Sequence, residues 1–262
     1  MTSAPTWAFH HGNGASMWHL LDGSVDLVLT SPPYYPDDIE HELRRPLAEQ
    51  THVDEVEMAV TTLALSLQPV FHEIARVLKP NGVFVLQTRD IRYGGFLIGP
   101  MDVHRRLAES AGFRLVTEIG WESTPSSIPR ARAVAAMWKR GRFVTAETER
   151  FLVLSRTPLT ELEEREVTIP LEYAEALWRL PAQGSRSSHP HESPISVVRR
   201  LIEEYTEPGE LVVDPFCGHG TVVLTAVELG RHGVGYDIEA ECIATSESRL
   251  ASAVAPGDTD ER

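Results

Sequence analysis

Thr30-Ser31-Pro32-Pro33-Tyr34 brings together a hydroxyl, carbonyls without a competing local N–H, and an aromatic ring, at the end of the apolar run Val25–Leu29. Two consecutive prolines fix φ twice and remove two backbone donors, so the chain leaves this run in a rigid, extended turn. Such a set suits a flat ring bearing an amino group. The Ser31 hydroxyl and the Pro32 carbonyl can accept from the NH₂, and Tyr34 can stack on the ring face. A proline-stiffened loop with a surface tyrosine has the same letters, and a motif this short does not decide between the two.

A second cluster lies far down the chain. Leu211-Val212-Val213 runs into Asp214, then Pro215-Phe216-Cys217-Gly218-His219-Gly220-Thr221, then the helix-like stretch Val222–Leu229 stopped by Gly230. Gly218 and Gly220 permit positive φ and close backbone approach at a helix start. The next strand, His232–Tyr236, ends at Asp237. An acid roughly twenty residues after a glycine turn is the usual place for a carboxylate that accepts from ribose hydroxyls. The pattern points to a nucleoside-containing cofactor. Gly220 is followed by Thr221-Val222 rather than Lys-Ser/Thr, which disfavours ATP, and Gly218-His219-Gly220 is shorter than a dinucleotide fingerprint. The plainer alternative is that Asp214 and Asp237 only cap the helices that follow them.

Taken together, the two clusters resemble the S-adenosylmethionine-dependent amino methyltransferases of DNA. The order, catalytic motif first and cofactor motif last, is similar to that of their circularly permuted β class. Further stretches share the likeness: Gly12-Asn13 before a helix-like Ala15–Leu21, Phe71–Gly82 with its Leu78-Lys79-Pro80-Asn81-Gly82 ending, and Ser188-His189-Pro190 with Ser193-Pro194. The resemblance implies an α/β, Rossmann-like methyltransferase fold with a mostly parallel sheet and helices on both faces. It implies S-adenosylmethionine as cofactor and duplex DNA as partner, with the target base flipped out. Ser31, Pro32, Pro33 and Tyr34 would be the catalytic turn, and Tyr35 a further stacking surface. Asp214, Phe216, Gly218 and Gly220 would line the methionine and ribose region. Thr221 would sit near the carboxylate, Asp237 at the ribose hydroxyls and Ile238 against the adenine. Asn13 and the segment Thr88–Asp90 are further candidates. Serine before Pro-Pro-Tyr favours N4 of cytosine; N6 of adenine, the same chemistry on RNA, and a partner-dependent cofactor-binding subunit stay open.

The bulk properties bound these readings. The net charge is −14, from 24 Lys and Arg against 38 Asp and Glu, awkward for contact with phosphates. Residues 122–158 run the other way, and Arg130, Arg132, Lys139, Arg140 and Arg142 form a basic lobe expected to approach nucleic acid, with Trp138 inside it. The segment is short for a target-recognition unit, which leaves room for a recognition partner or a cognate nuclease. Two cysteines at unrelated positions suit a reduced, cytoplasmic protein. No apolar stretch reaches the roughly 18–20 residues of a membrane span, and no secretory leader is read at the N-terminus. His10-His11 and His189-Pro190-His191 lack partners at metal-ligand spacing, so no metal is expected.

The elements that must position the two clusters follow from periodicity and breakers. Strands are expected at 25–30, 82–88, 113–121, 150–155, 211–215 and 232–236, and helices at 15–21, 53–78, 100–111, 194–206, 219–229 and 239–252. The stretches 113–121 and 150–155 have no helix of comparable strength between them and are expected to pair as an antiparallel edge. A single domain over 1–262 results: a catalytic half to about 121, a short basic insertion over 122–190, a cofactor half over 191–252 and a disordered tail from 256. Open α/β sheets bind ligands beyond the carboxyl ends of their strands, so Tyr34, Asp90, Asp214 and Asp237 should converge there.

Overall fold

The computed structural model describes residues 4–46, 49–124, 149–158, 176–181 and 194–254. Its centre is strand β2 (Val25–Thr30), in which all six residues are buried. A strand buried on both faces needs cover on both, and the rest of the chain supplies it. Around it lie β1 (Trp7–His11), β3 (Leu78–Thr88), the hairpin β4 (Ile91–Tyr93) and β5 (Phe96–Ile98), β6 (Arg114–Thr124), β7 (Glu149–Ser155), β8 (Leu177–Pro181), β9 (Leu211–Asp214) and β10 (His232–Asp237). Among the described residues the main sheet runs β1-β10-β9-β2-β3-β7-β6-β8. All neighbours pair in parallel except those of β7, which is antiparallel to both β3 and β6.

The helices are α1 (Glu40–Leu43), α2 (Val53–Ser66), α3 (Gln68–Val77), α4 (Pro100–Ser110), α5 (Ile195–Tyr205), α6 (Thr221–Glu228) and α7 (Ala240–Val254). Strand side chains alternate between two cores, as a period of two requires. Phe84 and Leu86 of β3 with Leu152 and Leu154 of β7 meet Phe71 and Ile74 of α3 and Leu107 of α4. Val83 and Val85, with Phe151 and Val153, meet Val197, Leu201 and Ile202 of α5 and Val222 of α6 on the other face. The one buried carboxylate inside β2 is tied down: Asp26 accepts from Lys79 Nζ at 2.5 Å and from the Leu211 amide at 3.0 Å, joining three adjacent strands.

Four expectations need correction. Residues 15–21 form successive turns rather than a helix. The backbone bonds there are Ser16 to Asn13 and Leu20 to Met17, and outside groups hold the loop: Glu73 accepts from the Met17 amide at 2.7 Å, and Arg76 donates to the Met17 and Leu20 carbonyls. The helix expected over 53–78 is two, meeting at Leu67. Pro69 lacks the N–H a continuous helix would use, and its ring would strike the carbonyl of Leu65. The antiparallel pair β6–β7 forms, but β8 extends the sheet beyond β6 and removes it from the edge. Strand β1, too short and too mixed in polarity to read from periodicity, closes the opposite edge against β10.

Candidate active site

Strand β9 leads through α6 to β10 on one side, while β2 leads through α2 and α3 to β3 on the other, so the chain changes direction between β9 and β2. A crevice opens at such a point, beyond the carboxyl ends of the strands. Here it is a cavity of about 610 Å³. The turn after β2 supplies Ser31, Pro32, Pro33, Tyr34 and Tyr35, and the turn after β9 supplies Asp214, Phe216, Gly218 and Thr221. Asp237 and Ile238 come from the end of β10, Asn13 from the loop after β1, and Leu63, Leu67 and Val70 from the α2–α3 junction.

The two motifs are joined by one hydrogen bond. Thr30 Oγ1, the last side chain of β2, donates to Asp214 Oδ1 at 2.6 Å. The same oxygen accepts from the Phe216 amide at 3.1 Å. Burial pushes the Asp214 carboxyl up to about 7, against the pull of these two donors, and the nearby Asp237 carboxylate adds to the rise. Asp237 ties its own turn together, accepting from the Gly218 amide at 2.8 Å through Oδ2 and from the Glu239 amide at 2.9 Å through Oδ1. It therefore closes the turn ahead of α7 and pins the glycine turn beside it, and it also faces the cavity. Each oxygen keeps a lone pair for a further donor.

Tyr34 is set into the wall. It is 8% exposed and packs with Val56, Ile91 and Tyr93; its hydroxyl lies 2.7 Å from Ser31 Oγ. The Arg89 guanidinium sits over its ring, 5.4 Å from the centroid. Burial pushes the Tyr34 phenol well above the usual tyrosine range, with the Glu149 carboxylate adding to it. Asn13 shapes its loop by accepting from the Ala15 amide at 2.9 Å.

Not every expected residue reaches the cavity. Gly220 does not line it. It holds the start of α6 with φ 79, and a Cβ there would come within 2.9 Å of Ser246; its role is to let α7 pack against the turn. Asp90 and Thr88 are also elsewhere. Asp90 accepts from the Met101 amide at 3.4 Å at the start of α4, and Thr88 pairs with the buried ring of His104. Alternation along β3 explains the miss: Val83, Val85 and Gln87 share one face and Thr88 the other, so Gln87 enters the cavity. His219, Glu239 and Cys242 line it as well. His219 stands between the motif glycines, where position alone could have flagged it. Arg130, Arg132, Lys139, Arg140, Arg142 and Trp138 lie outside the described residues, as do most of the expected insertion and the tail. Among the described residues no set of three His, Cys, Asp or Glu is placed to hold a metal ion, and no helix is long and apolar enough to cross a membrane.

A family model described as DNA methylase matches residues 25–248. The Type II methyltransferase M.MjaI of Methanocaldococcus jannaschii is 28% identical, over 87% of this chain and 86% of its own length. Protein TTHA0409 of Thermus thermophilus, in its crystal structure with S-adenosyl-L-methionine, superposes with a TM-score of 0.69 at 22% identity, covering 97% of this chain and 96% of that one. PvuII DNA methyltransferase, described as cytosine-N4-specific, superposes with a TM-score of 0.69 at 22% identity over 95% of this chain and 87% of its own. At these identities the two structures establish the methyltransferase fold.

Proposed function

Because this chain belongs to the DNA methylase family, the S-adenosylmethionine-dependent amino methyltransferases, we propose that it methylates the exocyclic amine of a base in duplex DNA, N4 of cytosine, at the cavity between β9 and β2. One observation carries the reading. The Thr30–Asp214 bond holds the Ser-Pro-Pro-Tyr turn and the glycine turn as two walls of a single cavity.

The cavity fits the cofactor. Gly218 lines it with φ 48, and a Cβ placed there would meet nothing within 4 Å, so the backbone leaves open space where a ligand approaches closely. Asp237 would hold the ribose hydroxyls, Ile238 and Phe216 would flank the adenine and methionine ends, and Asp214 would face the cationic end. When bound, S-adenosylmethionine supplies an activated methyl electrophile. The chain's own residues do the positioning. The Pro32 carbonyl accepts an N–H of the target amine, and Ser31 meets the same edge of the base. Holding the amine while it gains positive charge stabilises the transition state. The surplus proton is lost after transfer, so no strong base is needed. The amine of a paired base is out of reach, hence the base leaves the duplex, and Tyr35 beside Tyr34 offers a stacking surface.

Serine at position 31 and the fold shared with a cytosine-N4-specific enzyme support cytosine as target. Relatives named as Type II methyltransferases support a place beside a nuclease that reads the same site. The test uses purified protein, labelled S-adenosylmethionine and unmethylated duplex DNA, with RNA in a parallel reaction, and digestion of the products to nucleosides. N4-methylcytosine in DNA is the expected product. N6-methyladenine, or label in RNA alone, would replace cytosine DNA as the substrate.

A further inference from the structure

We propose that Ser246 and Arg249, on α7, are positioning residues that orient the backbone of the glycine turn so that its amides receive the carboxylate of the cofactor. The inference rests on the cofactor placement proposed above and deepens it. It adds a third element, behind the turn, to the two motifs that line the cavity.

Each carbonyl of the turn from Cys217 to Gly220 has a donor. Two of the bonds are local: the Gly220 amide donates to the Cys217 carbonyl at 2.7 Å, and the Leu224 amide to the Gly220 carbonyl at 2.8 Å. The other two come from α7. Ser246 Oγ lies 2.9 Å from the carbonyls of both Gly218 and Cys242 and shares its one proton between them. Arg249 Nη1 donates to the His219 carbonyl at 2.6 Å. Cys242, Ser246 and Arg249 stand at i, i+4 and i+7, one stripe of the helix. Ile243 and Leu250 pack that helix with Cys217 and Val223, and Ser246 is buried against Gly220, where a Cβ would strike it. Across a trans peptide the carbonyl and the following N–H point opposite ways, so drawing the Gly218 oxygen to Ser246 turns the His219 amide the other way. The first amides of a helix look out from its end, and Thr221 and Val222, which open α6, line the cavity with Gly218 and His219. The turn keeps its oxygens occupied and offers its N–H edge.

That edge suits one part of S-adenosylmethionine. The ammonium, the sulfonium and the ribose hydroxyls are all served by acceptors, and Asp214, Asp237 and Glu239 line the cavity. Among the described lining residues there is no Lys or Arg. The cofactor's carboxylate is the group these acids repel, and it needs donors in a positive potential. The N–H edge at the start of α6 supplies the donors with the partial positive charge of a helix N-terminus. The Arg249 guanidinium, held against the His219 carbonyl, adds a full charge beside the same turn. A His219 carbonyl released from Arg249 could swing an oxygen toward the carboxylate.

Arg249→Met keeps most of the side-chain length and removes its donors and charge. The test compares S-adenosylhomocysteine with its decarboxylated analogue, two unreactive ligands that differ only in the carboxylate, by calorimetric titration of the whole chain. Arg249→Met should bind S-adenosylhomocysteine about tenfold more weakly than wild type and the decarboxylated ligand with unchanged affinity. Ser246→Ala removes a hydroxyl and little volume, and it decides the question where Arg249→Met fails to fold. It should show the same selectivity at about threefold, the scale of a neutral hydrogen bond. Equal losses for the two ligands would make these residues merely structural and overturn the inference, as would no loss for either ligand. Wild type that binds neither ligand overturns the cofactor placement and this inference with it.

Discussion

The hydroxyl of Thr30 and the carboxylate of Asp214 meet at 2.6 Å, across 184 positions of sequence. Each is the last residue of its strand, and the strands are neighbours in parallel register, Leu27 beside Val212 and Val28 beside Val213. The register carries the turns that follow into one crevice: the proline turn continues from Thr30 and the glycine turn from Asp214. Both groups are buried at the floor of the cavity, where a hydrogen bond is stronger than in water, and the bond ties the two cavity walls together.

Thr30→Val keeps the shape and removes the donor. A buried carboxylate that loses a hydrogen bond costs roughly 1–3 kcal/mol. Denaturant unfolding should show a loss in that range, and calorimetric titration should show weaker S-adenosylmethionine binding as the walls drift. Unchanged stability together with unchanged affinity would remove the bond from both roles.

Asp214 makes stability and cofactor binding depend on pH in opposite senses. Its carboxyl is raised from 3.8 to about 7 by burial, so between those values the folded chain binds a proton that the unfolded chain has released. Asp214 therefore lowers stability progressively as pH rises through that window, with its full cost above about 7. Asp214→Asn, which stays neutral, should gain on wild type over the same window in parallel urea titrations. A cationic cofactor favours the ionised carboxylate, so wild-type affinity should tighten as pH rises toward 7 and the Asn variant should lack that trend.

Asp237→Ala removes the acceptor proposed for the ribose hydroxyls and frees the amides of Gly218 and Glu239. Cofactor affinity should weaken by at least ~1–2 kcal/mol, read by calorimetry. An unchanged dissociation constant would leave Asp237 only its role in holding the turns at Gly218 and Glu239.

Tyr34 needs two variants, because its ring is part of a core. Tyr34→Ala should abolish transfer and leave cofactor affinity nearly unchanged, but it also opens a hole where Val56, Ile91 and Tyr93 pack, at a cost of about 3–5 kcal/mol. Tyr34→Phe keeps the packing and deletes only the hydroxyl that faces Ser31. It should lower kcat with little change in the cofactor KM. A Phe variant as active as wild type would make the hydroxyl dispensable and the ring alone important.

Much of the scaffold was readable because its signals are local. Val25–Thr30 is mostly apolar, interrupted by Asp26 and ending on Thr30 before the prolines, and the structure keeps those bounds. The acids at the ends of β9 and β10 were marked by the glycine turn between them. What escaped depended on neighbours distant in sequence. The loop at 15–21 has helix-like letters, yet Glu73 and Arg76 take its backbone groups and hold it as turns. Gly220 shares its motif with Gly218, but Ser246 decides that one serves packing and the other faces the cavity. Gln87 carries no motif, and its place in the site follows from the face of β3 it shares with Val83 and Val85 once that strand is set beside β2.

The most direct measurement is a single-turnover chase. Wild-type protein loaded with methyl-labelled S-adenosylmethionine is mixed with duplex DNA and a large excess of unlabelled cofactor. The expected result is label on the amino nitrogen of a DNA base in the first turnover, because the bound cofactor and the flipped base share the cavity between β9 and β2. Tightly bound label that never passes to DNA, and leaves only by exchange with the unlabelled pool, would contradict a shared site.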